Sequence, residues 1–261
     1  MKKFAIGHIL IKSNQLQQTV KDFEQLGFTV TYRSDPAKAH NAFIYLSDGS
    51  FLELFNPKPV KLPDKLMVGL LKLLRPLQPA MMDRLATYMK GSEGLMDYAL
   101  DSVPVEKADE YLKDIIRAGA KMGKKLSMSK KMRDGSKQSW WIAPPQDVKL
   151  PFLMSSYQPP LVCHEQEFTH RNNVQRLDGM VIEVPNLEEW ITTYRSILVG
   201  TQAFRQGSEC EFTLGKKHKI ILRQAERYRI SEIRLLTSDD SWLHRDEIFS
   251  KANITLHPIE D

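Results

Sequence analysis

The stretch Phe4-Ala5-Ile6-Gly7-His8-Ile9-Leu10-Ile11-Lys12, read together with Ser50-Phe51-Leu52-Glu53-Leu54-Phe55, decides the fold of this chain. Both stretches are strands by composition, being rich in β-branched and aromatic residues. Between them the apolar spacing predicts a helix over 15–26, closed by Gly27 in a left-handed cap, then strands over 28–32 and 41–46. Residues 4–57 therefore form one βαβββ unit. His8 lies in its first strand and Glu53 in its last, and a polar group in an apolar strand needs a partner. An imidazole nitrogen with a carboxylate oxygen suits a divalent transition metal such as Zn, Mn, Fe, Co or Ni.

The unit recurs. Gly179-Met180-Val181-Ile182-Glu183-Val184-Pro185-Asn186-Leu187 repeats the rhythm of the run from His8 to Leu16: strand, Asx-type turn, amphipathic helix. Leu16 aligns with Leu187, Val20 with Ile191 and Phe23 with Tyr194, one helix face at 3.6-residue spacing. A middle copy reads as a strand over 96–101, a helix over 106–118 ending at Gly119, two strands about a hairpin turn at Asp134-Gly135, and a closing strand over 150–155. Asp48-Gly49-Ser50 and Asp134-Gly135-Ser136 occupy the same place in their units. A strand over 230–236 begins a truncated fourth copy. The expected fold is α+β, built of tandem βαβββ modules. Two modules lie over 1–160, with a helical insert at 58–91, and a third module with the partial fourth copy fills 171–261.

Gly7-His8-Ile9-Leu10-Ile11, Leu26-Gly27-Phe28, His40-Asn41-Ala42 and Asp48-Gly49-Ser50-Phe51-Leu52-Glu53-Leu54 together resemble the glyoxalase-like domain family of the vicinal-oxygen-chelate superfamily. The resemblance is specific over 4–57, moderate over 95–157 and weak from 175 onward. It implies that two modules pair into an open cup, with any metal held on the inner surface by first- and fourth-strand residues. It also implies chemistry in which two adjacent substrate oxygens chelate the ion, which acts as a Lewis acid. Isomerase, lyase, extradiol dioxygenase and thiol-transfer reactions all occur on this architecture, and the fold does not choose among them. The leading expectation is a metal-assisted enzyme acting on a small oxygenated or aromatic substrate, with Glu53 as ligand or proton shuttle. The alternative is a protein that binds or sequesters a drug or metabolite in the same cup without catalysis.

Strand parity turns Phe51, Glu53 and Phe55 toward the cup, and His8 shares its face with Ile6 and Leu10. His8 and Glu53 then either ligate a metal or hydrogen-bond each other. The later units lack the pair, having Gly179 and Ile221 in its place, so further ligands must come from Asp97, Tyr98, His164, His170 or Glu232. Glu232 would match His8 in the fourth copy. A hairpin turn at Asp48-Gly49 sets Glu53 opposite Ile44 or Tyr45. His40 then lies roughly 13 Å further along the same face, at about 3.3 Å per residue, or on the other face. Either way His40 belongs at the cup mouth or strand end. Trp140 and Trp141 point to opposite sides of one strand, so one of them joins Phe51 and Phe55 in an aromatic wall suited to an apolar ligand, or else these rings are simply core.

The insert reads as two short helices, over 66–74 and 81–89, split by Pro76 and Pro79. The first is apolar round most of its circumference and is expected to be buried as a lid or dimer contact, with Met67, Met81, Met82 and Met89 inside. Lys61, Lys65, Lys72 and Arg75 leave docking on a membrane surface as the less favoured alternative, so no membrane partner is expected. The 261 residues are 42% hydrophobic and 26% charged, with no apolar run long enough to span a bilayer. The start has no signal-peptide h-region, and Cys163 and Cys210 form no Cys-x-x-Cys, which together predict a cytoplasmic protein. Of the net charge of +5, much is a basic ribbon from Lys121 to Lys137 without interleaved aromatics, so nucleic acid is not an expected partner. An odd number of full copies motivates a homodimer.

Overall fold

Strand β1 (Phe4–Lys12) is buried along its whole length because it runs through the middle of a sheet. The computed structural model describes residues 2–58, 64–132, 135–245, 249 and 252–259. After β1 come α1 (Leu16–Gln25), β2 (Asn41–Tyr45), β3 (Phe51–Phe55), α2 (Asp64–Leu74), α3 (Pro79–Lys90), β4 (Gly94–Ser102), α4 (Ala108–Arg117), β5 (Leu126–Lys131), β6 (Lys137–Ala143) and β7 (Phe152–Met154). The remainder forms α5 (Glu165–Phe168), β8 (Val174–Val184), α6 (Leu187–Ile197), β9 (Ala203–Gln206), β10 (Glu209–Thr213), β11 (Lys219–Gln224), β12 (Arg229–Thr237), α7 (Asp240–Leu243) and β13 (Ile254–Pro258).

The strands make two curved sheets, and the class is α+β. The first has the order β2-β3-β1-β4-β7-β6-β5 and the second β13-β12-β8-β11-β10-β9. Their wiring is the same. β1 is parallel to β3 and antiparallel to β4, which is parallel to β7. β8 is likewise parallel to β11 and antiparallel to β12, which is parallel to β13. The two sheets share one core, built from Ile6 and Ile9 of β1, the apolar faces of α1, α4 and α6, and Met180 and Ile182 of β8. Each such side chain contributes about 1.5–3 kcal/mol on burial. The Tyr98 and Tyr194 hydroxyls hydrogen-bond at 2.8 Å across this core.

Three local features depart from the sequence expectation. The strand expected over 28–32 is reduced to a single bridge between Thr31 and Phe43. The Thr29 N–H is already given to His170 Nδ1 at 3.0 Å, and its hydroxyl to the Thr169 carbonyl at 2.6 Å. The β1–β4 register shifts between Ile6 and His8, so Ile6 turns to the shared core and only His8 and Leu10 face the cup. Gly7 sits at this bulge beneath Asp101, whose carboxylate lies within 2.6 Å of where a Cβ would be. Helix α2 is not buried on both sides: Leu66, Leu70 and Leu73 are 58%, 47% and 75% exposed. Among its described residues, Met67 and Leu71 face inward and line the cavity. Asp134 of the expected second hairpin lies outside the described residues, while the strands before and after it pair antiparallel.

Candidate functional site

The concave face of the first sheet and the two insert helices enclose a cavity of about 460 Å³. His8 and Glu53 lie on its floor, with His8 Nε2 3.9 Å from Glu53 Oε2. The His8 ring stacks flat on Phe51 at 4.6 Å and meets the edge of Phe152 at 5.6 Å. Its Nδ1 is buried without a hydrogen-bond partner. Burial alone pushes its pKa down to about 3, so the imidazole is neutral at pH 7. Burial pushes the Glu53 carboxyl up, opposed by the Asn41 amide and the positive charge of Lys130. Asn41 Nδ2 donates to Glu53 Oε1 at 2.9 Å, which leaves Oε2 aimed at His8.

Asn41 reaches Glu53 through the β2–β3 register. The loop between Tyr45 and Phe51 is closed by the Leu46 N–H on the Ser50 carbonyl, so Glu53 pairs with Phe43, not with Ile44 or Tyr45. Odd-numbered residues of β2 therefore face the cavity, and Asn41, Phe43 and Tyr45 line it. His40 falls on the other parity. It is exposed outside the cavity, with its carbonyl accepting from the Asn56 N–H at 2.8 Å. Phe51, Phe55 and Trp140 form the expected aromatic wall, and Trp140 sits opposite Met128 of β5. Trp141 turns away from the cavity, with Lys125 Nζ 5.1 Å above its ring. Met67, Met81, Met89, Met128, Met132 and Met154 contribute to the lining, which gives it an adaptable apolar surface. Met82 does not take part.

The weaker ligand candidates are all committed elsewhere. Tyr98 points to the opposite face of β4, against Tyr194. His170 accepts from the Thr29 N–H through Nδ1 and reaches the Tyr45 carbonyl through Nε2 at 2.9 Å. Glu232 lies on the second sheet, paired with Arg234 at 2.9 Å. His164 is exposed and caps α5. Asp97 does face the cup side, but its carboxylate accepts from both Arg84 and Tyr88 of α3. Among the described residues no three of His, Cys, Asp and Glu are grouped to hold an ion. The His8–Glu53 pair supplies two donors, short of the three protein ligands usual for a catalytic metal. His8 Nδ1 also lacks the outer partner that normally orients a ligating imidazole. The donor set thus does not fit a metal held by the protein alone.

The roof is fixed by charge. Arg84, 1% exposed, reaches down from α3 to Asp97 and donates to the Leu150 carbonyl at 2.7 Å. Lys12, at the end of β1, donates to the Met89 and Gly91 carbonyls at the C-terminus of α3, where a cation is favourable. At the mouth Arg33 stacks over Tyr45, donates to its hydroxyl at 3.0 Å and pairs with Glu167 at 3.2 Å. Spacing alone reveals neither arginine, because both partners lie on distant elements.

A family model described as a glyoxalase-like domain matches residues 6–198. No curated protein sequence matches the chain. Among solved structures, a hypothetical protein from Staphylococcus aureus superposes with a TM-score of 0.71 at 12% identity, covering 98% of this chain and 100% of that one. The Mn(II)-bound glyoxalase from Novosphingobium aromaticivorans gives 0.55 at 10% identity, over 95% of this chain and 71% of that one. Homoprotocatechuate 2,3-dioxygenase from Brevibacterium fuscum, in complex with 3,4-dihydroxyphenylacetate, gives 0.56 at 9% identity, over 96% and 69%. At these identities the structural likeness speaks for the fold.

Proposed function

Because the chain belongs to the glyoxalase-like domain family of the vicinal-oxygen-chelate superfamily, we propose that its cup binds a small, largely apolar or aromatic molecule with one polar end at His8 and Glu53. The observation that carries this reading is the lining: aromatic rings and methionines on nearly all sides, and a single carboxylate, Glu53, among the described lining residues. A ligand O–H or N–H would donate to Glu53 Oε2, which Asn41 leaves free by holding Oε1. Neutral His8 Nε2 is the second polar group at that end, and the stacked Phe51 holds its ring in place. Burial favours the protonated form of Glu53, so the same carboxyl is also suited to exchange a proton with a bound molecule.

A metal-assisted reaction is the second reading. It is supported by the N/O chemistry of the pair and by the Mn(II) in one structural neighbour. A divalent ion would supply Lewis acidity, with His8 and Glu53 as its protein donors. The two-donor set weighs against it.

Titration of the wild type with the apolar fluorophore N-phenylnaphthylamine, with and without a chelator, separates the two. Micromolar binding that is indifferent to chelation and at least about tenfold weaker in Glu53→Gln, the loss of one charge-assisted hydrogen bond, is the expected result. Stoichiometric uptake of Zn, Mn, Fe, Co or Ni that disappears in His8→Ala would replace the first reading by the second.

A further inference from the structure

Helix α2 is apolar on two sides. Met67 and Leu71 face the cavity. Leu66, Leu70 and Leu73 point outward, and Leu77 in the following turn extends the stripe, at 58%, 47%, 75% and 66% exposure. Single exposed leucines are ordinary, but a contiguous row on one helix face marks a contact surface. The same segment is basic. Residues 57–91 hold seven lysines and arginines against two aspartates, a surplus equal to the +5 of the whole chain. Arg84 is neutralised by Asp97 and Arg75 by Asp83. Beyond these pairs the sequence of the segment remains rich in lysine, with Lys61, Lys65, Lys72 and Lys90.

We propose that the outer face of α2 docks on an anionic lipid surface, with the helix lying in the plane of the interface. The leucines would enter the acyl boundary and the lysines would meet the headgroups, a division of labour typical of interfacial helices. Charge decides against a second copy of this chain. A two-fold contact would set the same lysine-rich segment against itself, whereas an anionic bilayer supplies the opposite sign. Among the described residues no helix is long and apolar enough to cross a membrane, and a surface helix need not be. Docking would also bring the roof of an apolar cavity against lipid, whatever molecule the cup takes. Because the segment joins two modules, the sequence alone ranks a lid or dimer contact above such docking; the outward leucine row is what favours the lipid surface.

Flotation of the full chain with phosphatidylcholine vesicles, with or without phosphatidylglycerol, tests it. The wild type is expected to float with the anionic vesicles about tenfold more than with the neutral ones, since each basic residue near such a surface adds about 1 kcal/mol. High salt should weaken this, and L70E/L73E should abolish it while leaving the melting temperature unchanged, because both leucines are exposed. No flotation with anionic vesicles, or equal flotation of L70E/L73E, overturns the proposal. So does a dimer in light scattering that L70E/L73E splits, which would make a second copy the occupant.

Discussion

His8 carries a buried ring nitrogen with no partner and a second nitrogen that stops 3.9 Å short of a carboxylate. Such a group costs stability, about 1–3 kcal/mol for the missing hydrogen bond, and it makes the fold acid-sensitive in a definite direction. Its folded pKa of about 3 lies below the ordinary 6.5, so the unfolded chain binds the extra proton between those values. Stability is therefore lost as pH falls from about 6.5 toward 3. His8→Asn removes this dependence: relative to the variant, the wild type should lose about 3 kcal/mol between pH 7 and pH 4, read from urea midpoints. An unchanged difference would mean the ring is not held neutral by burial. Glu53 has the opposite sign. Its pKa is raised, so its contribution is favourable at low pH and lost as pH rises through the folded value. Glu53→Gln should accordingly stabilise the protein at pH 7, have little effect at pH 4, and weaken ligand binding at pH 7, where a charged carboxylate is lost. A residue that costs stability where it stands, at the polar end of an apolar cavity, is what a binding site produces.

The roof of the cup depends on one buried cluster that joins α3 to β4. Removing one partner of a buried pair leaves the other charge stranded, at a cost of about 3–5 kcal/mol, whereas replacing both by apolar groups is much milder. Asp97→Asn should lower the melting temperature, expose the 58–91 insert to protease and abolish fluorophore binding. The double variant Arg84→Met/Asp97→Leu should recover most of the stability. If Asp97→Asn leaves both protease sensitivity and binding unchanged, the cluster does not hold the roof. This element also shows what sequence can and cannot say. β1, α1 and both insert helices were legible because each is a periodic run with clear punctuation. The inward orientation of Glu53 was legible from parity within its own strand. Asn41 was not, because its face depends on how many residues the Tyr45–Phe51 loop absorbs, which only the register reveals. Nor was the exposure of α2: an apolar circumference says that a helix wants cover on all sides, not that the protein provides it. Asp97, His170 and Tyr98 looked like spare donors because nothing local announces Arg84, Thr29 or Tyr194 as their partners.

At the scale of the whole molecule the two sheets meet at the Asp48 turn, whose recurrence in the sequence hid a structural task. Asp48 accepts from the Ser50 N–H and hydroxyl within its own turn, at 2.8 and 2.6 Å. Its other oxygen takes the Leu177 N–H of β8 at 3.0 Å and bonds to His218 Nε2 at 3.1 Å. His218 Nδ1 in turn accepts the Ile6 N–H of β1 at 3.1 Å. To bring His218 there, Lys216 and Lys217 take left-handed backbone conformations, with φ of 57° and 63°, a strain that the seam must over-determine. Burial pushes the Asp48 carboxyl up, but the His218 and Ser50 donors outweigh it and hold it at about 2. Since that is below the ordinary 3.8, the stabilisation is complete above about pH 4 and is lost as pH falls through 2. Asp48→Asn should cost about 2–3 kcal/mol at neutral pH and nothing near pH 2. Because Ile6, Ile9, Met180 and Ile182 sit in one core, the loss should fall on both sheets together. Trp140 and Trp141 report the first sheet, Trp190 and Trp242 the second. Variants retaining only one pair should therefore unfold at the same urea concentration, with or without Asp48→Asn. Two separate midpoints would show instead that residues 1–160 and 171–261 fold as independent units, and that the seam joins domains already made.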